Sequence, residues 1–177
     1  MNKTHRTVLW ITETAALLAM LVVVQYLTQS AGQYVTGSCV NAIIAVATLC
    51  AGLSSGLCVA LLSPFLAFLV GVGPSNFLLI PFIALGNSVF SLLIALLGKN
   101  GPVWRIGLSV VVGACAKCAV LYLSIVKGVC VLANIPAPQV AKFTAMFSLP
   151  QLATALIGGA VAMILVLPLR KALSKLH

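Results

Sequence analysis

Long apolar runs separated by short polar or glycine- and proline-containing segments dominate the chain. Six such runs stand out, at about residues 8–28, 39–53, 57–70, 77–97, 104–127 and 143–169. An α-helix rises about 1.5 Å per residue, so about 20 apolar residues cross the hydrocarbon core of a bilayer. The two helices of the 39–70 hairpin are shorter than this. The pattern predicts an all-α membrane protein with six transmembrane helices in one domain over residues 1–177.

The composition supports a membrane protein and argues against a soluble one. Hydrophobic residues make up 62% of the chain and charged residues 6%, which is too little polar surface for a soluble domain. Ten lysines and arginines stand against one acidic residue, giving a net charge of +9. In a membrane protein this excess of basic residues indicates the orientation of the chain in the membrane and contact with anionic lipid. The sequence contains no basic helix, zinc-ligand spacing or basic-aromatic groove that would indicate binding of nucleic acid.

The basic residues predict which side of the membrane each end occupies. An even number of spans places both termini on the same side. With both termini cytoplasmic, seven basic residues at or beyond the ends of the apolar runs face inward and two face outward, the bias expected of a membrane protein. The inner set is Lys3, Arg6, Lys99, Arg105, Arg170, Lys171 and Lys175, and the outer set is Lys127 and Lys142.

The sequence offers little for catalysis, cofactors or metals. It contains no phosphate-binding Gly-x-x-x-x-Gly-Lys-Ser/Thr loop, no His-Glu-x-x-His and no Gly-x-Ser-x-Gly. Glu13 is the only acidic residue, so paired carboxylates for acid–base chemistry are absent. Cys115 and Cys118 are three residues apart, but no second pair or nearby histidine completes a metal site. We therefore expect a protein that is not an enzyme and has no cofactor.

Lys117 lies in the middle of the fifth apolar run. A lysine at that depth costs about 2.5–3.5 kcal/mol on insertion scales, so its side chain is expected to face protein or a water-filled cavity. Two interpretations stay open at this point. Lys117 either contacts a substrate directly, or it snorkels or binds a backbone carbonyl between helices.

Two amide side chains are predicted to lie at the level of Lys117. Counted at about 1.5 Å per residue from the outer ends, Asn87 lies roughly 15 Å deep, Gln151 roughly 12 Å and Lys117 roughly 15 Å. Tyr122 lies above Lys117, and Ser148 is nearer the surface. Polar groups from three helices at one depth favour a shared pocket open to the outside. The alternative is hydrogen bonding between helices without a ligand, at about 0.6 kcal/mol per pair.

Several segments together resemble the substrate-binding S components of energy-coupling factor (ECF) vitamin transporters. The resemblance covers essentially the whole chain and includes its small size, six spans and cytoplasmic ends. The residues that carry it are the small pair Ala15 and Ala19, and the segments Leu62-Ser63-Pro64-Phe65, Gly71-Val72-Gly73-Pro74 and Ala84-Leu85-Gly86-Asn87.

The resemblance implies a function, a fold and a set of partners. It implies an ECF S-component-like bundle in the plasma membrane of a bacterium. This bundle is a binding subunit that captures a small vitamin-like solute in an outward-facing pocket. It delivers the solute inward by docking on an energising module, a scaffold subunit plus two ABC-type ATPases. In that family the alanine pair, here Ala15 and Ala19, lies against the scaffold.

The same resemblance implies roles for the pocket residues. The polar segment 29–38 is expected to cover the pocket through Gln33 and Tyr34, and the linker 128–142 to form the other rim. Lys117 is expected to meet a carboxylate, phosphate or carbonyl of the ligand. The expected substrate-binding set is Lys117, Asn87, Gln151, Gln33, Tyr34, Tyr122 and Ser148.

Two other functions stay open from the sequence. The protein could be a self-sufficient small-solute or anion channel or exporter in which Lys117 selects anions, although pores usually need rings of charges or carbonyls. It could also be a structural membrane subunit without a ligand. Electrical flux through the protein alone favours the first, and tight ligand retention during purification counts against the second.

Overall fold

Helices account for nearly all of the chain in the computed structural model, which describes residues 3–98 and 101–173. Seven helices longer than one turn are seen in these ranges, and no strand. They are α1 (Lys3–Thr28), α2 (Gln33–Val46), α3 (Leu53–Leu69), α4 (Ile80–Gly98), α5 (Val103–Leu121), α6 (Ala137–Met146) and α7 (Leu149–Leu173). Lys99 and Lys175, which contribute to the predicted orientation, lie outside the described residues.

Four helices adjoin segments in other helical conformations. A 3₁₀ turn, Gln29–Ala31, follows α1. A π-helical segment, Ala47–Ala51, extends α2, and a second, Tyr122–Val129, followed by the turn Cys130–Leu132, extends α5. A 3₁₀ turn, Phe77–Leu79, precedes α4. Wide π turns have no simple signature in a hydrophobicity pattern, and they are common at functional sites in membrane and soluble helices.

The helix lengths agree with a multi-pass membrane protein. Five helical stretches are long and apolar enough to cross a membrane among the residues that the structure describes. The remaining apolar helix, α3, has 17 residues and therefore spans about 26 Å. Six complete crossings and the cytoplasmic placement of both termini stay predictions.

The two early connections are shorter than predicted. The segment 29–38 was expected to be a polar gap, but α2 already begins at Gln33. The chain reverses at Gly32, whose φ of 85° is a left-handed conformation that glycine adopts without strain. Similarly, residues 54–56 were expected to form a turn and are helical, because the break falls at Gly52, with a φ of 104°.

The last predicted helix, 143–169, is two helices. The expected linker 128–142 is also mostly helical, since its beginning continues α5 and its end belongs to α6. The chain breaks at Phe147 and Ser148, just before Pro150. Proline has no backbone N–H and cannot bond to the carbonyl four residues earlier, here that of Met146. This proline therefore separates α6 from α7.

Close packing fixes α2 at the centre of the bundle. From Asn41 to Leu49 every residue of α2 and its π extension is buried. Gly158 of α7 allows the backbones of α7 and α2 to approach closely. A Cβ atom at this position would overlap the carbonyl oxygen of Ser38 and lie 2.8 Å from the backbone nitrogen of Ala42. The larger apolar core lies around α2, and a smaller one packs the end of α5 against α6 and the start of α4.

Candidate functional site

A cavity of about 280 Å³ opens between the helices at the end of the bundle where α1 passes into α2. Its walls come from all seven α-helices, the segment between α3 and α4, and the junctions of α1 with α2 and of α6 with α7. Nine polar side chains line the cavity, eight from six of the helices and one from the turn after α1. They are Gln25, Gln29, Gln33, Thr36, Asn41, Ser63, Asn87, Lys117 and Gln151.

Four of the seven side chains expected from the sequence line this cavity. They are Lys117, Asn87, Gln151 and Gln33, contributed by α5, α4, α7 and α2. The three helix positions chosen by depth alone therefore surround one space. Their role as ligand contacts stays a prediction.

The other three expected residues lie elsewhere. Tyr34 is 57% exposed and points away from the cavity, although it follows Gln33 directly. Tyr122 packs against the smaller apolar core, with the ammonium of Lys127 6.0 Å from its ring. Ser148 borders a shallow surface hollow beside α6, and its backbone carbonyl accepts a hydrogen bond from Cys118. Depth along a helix does not reveal which way a side chain faces around it, and this explains Tyr122 and Ser148. Tyr34 was expected to cover the pocket together with Gln33, but both lie in α2, where consecutive residues face different directions.

Lys117 is the only charged side chain in the cavity wall of the described residues. It is 3% exposed, and its Nζ donates a hydrogen bond of 2.6 Å to Oδ1 of Asn41. The ammonium also lies 5.7 Å from the centre of the Phe90 ring, within range of a cation–π contact. In the described part of the chain no carboxylate pairs with Lys117, so its charge is balanced only by a neutral amide and an aromatic face.

Asn41 connects Lys117 to a third helix. Its Nδ2 donates to Oγ1 of Thr154 at 3.3 Å, and that hydroxyl donates to the carbonyl of Gln151 at 3.1 Å. Both Asn41 and Thr154 are about 1% exposed. Asn41 was not among the residues predicted from the sequence, although an amide inside an apolar run is the same signal that identified Asn87.

The carbonyl that Pro150 leaves without a helical partner is used at the cavity rim. Gln33 Nε2 donates to the Met146 oxygen at 2.7 Å, and Gln151 Nε2 donates to the same oxygen at 3.4 Å. These bonds tie the start of α2 to the junction of α6 and α7. The helix break at Pro150 thus creates an anchoring point for two side chains of the cavity.

A second proline has a similar effect in α3. Pro64 cannot bond to the carbonyl of Ala60, and Ser63 Oγ donates to that oxygen instead, at 3.4 Å. Asn87 Nδ2 in turn donates to Ser63 Oγ at 3.4 Å. The side-chain oxygen of Asn87 has no hydrogen-bond partner among the described residues and is available at the cavity.

Gln25, like Gln29, Thr36 and Ser63, is a further polar residue of the cavity that was not predicted from the sequence. It is 5% exposed and lines the cavity from α1. Its Oε1 is buried and accepts no hydrogen bond within residues 3–98 and 101–173. A buried acceptor without a partner is uncommon in proteins, where most such groups are paired or bound to water.

Apolar side chains complete the wall. They include Val40, Pro64, Ala67, Val72, Ile80 and Phe147. An apolar pocket with a few converging polar groups is the usual form of a small-molecule site. The described residues contain no group of three or more histidine, cysteine or acidic side chains that could hold a metal ion.

The alanine pair expected to dock on a scaffold lies on the outer surface of α1. Ala15 and Ala19 are both exposed, whereas Thr14 and Leu21 on the other side of the helix are buried. Small exposed residues four apart allow another helix to approach closely. The docking role itself stays a prediction.

Comparison with known proteins identifies the family. The family model described as "ECF transporter, substrate-specific component" matches residues 10–170, which include every helix around the cavity. No curated protein and no solved structure matches the chain. The match extends over most of the sequence and agrees with the apolar helices seen in the structure. The chain therefore belongs to the family of substrate-specific components of ECF transporters, which are membrane subunits that bind a substrate for transport.

Proposed function

We propose that this protein captures a small vitamin-like solute in the cavity around Lys117 and delivers it into the cell. The observation that carries the proposal is the cavity itself. Side chains from α2, α4, α5 and α7, including Lys117, Asn87, Gln33 and Gln151, surround one space of about 280 Å³. Polar groups inside a membrane protein are costly, and their convergence on a cavity favours a bound ligand over isolated helix contacts.

The position of the cavity supports capture from outside the cell. The cavity lies at the end of α1 that holds Gln25, far along the helix from Lys3 and Arg6. Arg170 and Lys171 are at the opposite end of α7 from Gln151. If the basic ends face the cytoplasm, as basic residues of membrane proteins usually do, the cavity opens to the other side.

Energy for uptake comes from partners in this proposal. The expected partners are an ECF scaffold subunit and two ABC-type ATPases, and Ala15 and Ala19 on the exposed side of α1 form the docking surface. The surrounding membrane is the plasma membrane of a bacterium. The protein itself binds and releases the solute and carries out no chemical reaction.

The test has two parts. Native mass spectrometry of the purified protein identifies a retained small molecule, and vesicle uptake of that molecule is then measured with and without the scaffold and ATPases. We expect a solute that is retained by the wild type and by Tyr34→Ala, but lost from Asn87→Leu. Uptake should require ATP and all partners. Flux through the protein alone would contradict the proposal and support a channel.

A further inference from the structure

We infer that the solute carries two polar groups at different positions. One is an anionic oxygen group that binds Lys117, and the other is a hydrogen-bond donor that binds Gln25. This inference rests on the proposed function, because it describes the ligand of the same cavity. It names a class of substrate, a compact organic anion with an N–H or O–H group. Two independent features of the cavity wall support it.

The first feature is the charge of Lys117. An ammonium group has three N–H donors. In the described residues one donates to Asn41 Oδ1, and the side chain is 3% exposed. One neutral partner does not compensate a buried cation, since buried charges are normally paired with an opposite charge. A ligand carboxylate or phosphate would supply that charge and accept from the remaining donors.

The rest of the cavity wall favours the same sign of ligand. Glu13 is the only acidic residue of the chain, and it does not line the cavity. A cationic solute would therefore meet a like charge without a compensating carboxylate. At the low dielectric of a membrane protein this repulsion is strong. The wall thus excludes cations and favours anions.

The second feature is the unpaired oxygen of Gln25. Two buried side-chain nitrogen or oxygen atoms in the described residues lack a partner, Gln25 Oε1 and Trp10 Nε1, and only Gln25 lines the cavity. A carbonyl oxygen accepts hydrogen bonds and does not donate. In this orientation of the amide, the ligand group that satisfies Gln25 Oε1 is a hydrogen-bond donor.

The size of the cavity limits the body of the ligand. A volume of about 280 Å³ lies near the lower end of the range of small-molecule pockets, about 300–1,000 Å³. The wall also includes the apolar side chains of Val40, Ile80 and Phe147. A compact apolar or aromatic body fits this lining, with its polar groups at the periphery.

The anion is tested with benzoate and its neutral analogue benzamide on dialysed protein in detergent, by calorimetric titration. We expect benzoate to bind the wild type at least tenfold more tightly than benzamide, and Lys117→Met to lose this preference. The matched control is Lys127→Met, which removes an exposed lysine from the extension of α5. Equal affinities of the wild type for the two probes, or no binding of benzoate, would overturn the inference even if Lys117→Met does not fold.

The donor is tested with the three hydroxybenzoate isomers. We expect one isomer to bind the wild type at least threefold more tightly than benzoate, and this difference between the isomer and benzoate to disappear in Gln25→Leu. If no isomer binds more tightly than benzoate, or if the tighter binding persists in Gln25→Leu, the inference that the solute donates a hydrogen bond to Gln25 is wrong.

Failure of this inference differs from failure of the proposed function. A neutral solute retained in native mass spectrometry, and lost from Asn87→Leu, would leave the function intact and refute the anion. Flux without the ATPases would refute the function whatever the charge of the solute.

Discussion

Lys117 of α5 donates a hydrogen bond of 2.6 Å to the side-chain oxygen of Asn41 of α2, and Asn41 donates in turn to Thr154 of α7. A single chain of polar contacts thus connects three helices beside the cavity. It holds the ammonium in a defined position without neutralising it. The neutral character of Asn41 is therefore central to the function that we propose.

Replacing Asn41 with aspartate tests this idea. In Asn41→Asp the new carboxylate lies where Oδ1 now accepts from Lys117, so the protein neutralises the lysine internally. We expect the protein to fold and its benzoate affinity to fall at least tenfold, or about 1.4 kcal/mol. Calorimetric titration measures the affinity and thermal unfolding measures the stability.

Asn41→Leu provides the comparison. It leaves the buried ammonium and the Thr154 hydroxyl without their present partner. We expect a loss of about 1–3 kcal/mol in stability from unsatisfied buried groups.

The outcome that would contradict the prediction concerns the aspartate variant. If Asn41→Asp bound benzoate with wild-type affinity, Lys117 would not bind the anion.

The rim contact between Gln33 and Met146 yields a second prediction. Gln33→Ala removes the 2.7 Å bond to the carbonyl that Pro150 leaves free. We expect the affinity for the retained solute to fall about five- to tenfold, because one hydrogen bond contributes about 1 kcal/mol. Tyr34→Ala is the matched control, since this neighbour is exposed and does not line the cavity. An equal effect of both changes would show that the rim contact is irrelevant.

The sequence predicted the cavity residues best where one physical rule was sufficient. Asn87, Lys117 and Gln151 are polar residues inside apolar runs, and counting their depth at a fixed rise per residue placed them at one level. The structure brings all three to the same cavity. The cost of burying polar groups in lipid made this prediction possible.

Other features depend on information that the pattern does not contain. Tyr122 has a suitable depth but packs against the smaller apolar core, because depth along a helix does not fix the direction in which a side chain faces. Asn41 and Gln25 are amides inside apolar runs, the same signal that identified Asn87, whereas the hydrogen bonds of Asn41 and the unpaired oxygen of Gln25 depend on contacts that only the structure contains. The break before Pro150 could have been predicted from the missing N–H alone.

The contact of α7 with α2 gives a third prediction. Alanine normally stabilises a helix by about 1 kcal/mol relative to glycine. At Gly158 the added Cβ would overlap backbone atoms of Ser38 and Ala42, which cannot move as a side chain does. We therefore expect Gly158→Ala to be destabilised by about 1–3 kcal/mol, as is typical of overpacked sites, in thermal unfolding.

Gly107 of α5 is the matched control. The nearest atom to a Cβ at Gly107 is the methyl carbon of Met163, 3.4 Å away, an ordinary contact with a flexible side chain. We expect Gly107→Ala to be as stable as the wild type or slightly more stable. Gly158→Ala with wild-type stability would mean that the close approach of α2 and α7 is not required.

The exposed alanines of α1 give the last prediction. Ala15→Trp and Ala19→Trp place a large ring on a surface that we expect to meet the scaffold subunit, on the opposite side of α1 from the buried Leu21 and Gln25. Solute binding should persist, because neither alanine lines the cavity. ATP-driven uptake should fall at least tenfold, since close helix contact requires small residues. Ala160→Trp is the control, an equally large change at an exposed alanine of α7. Uptake that survives both α1 changes would exclude this surface from docking, and uptake lost equally in Ala160→Trp would attribute the effect to bulk in the membrane.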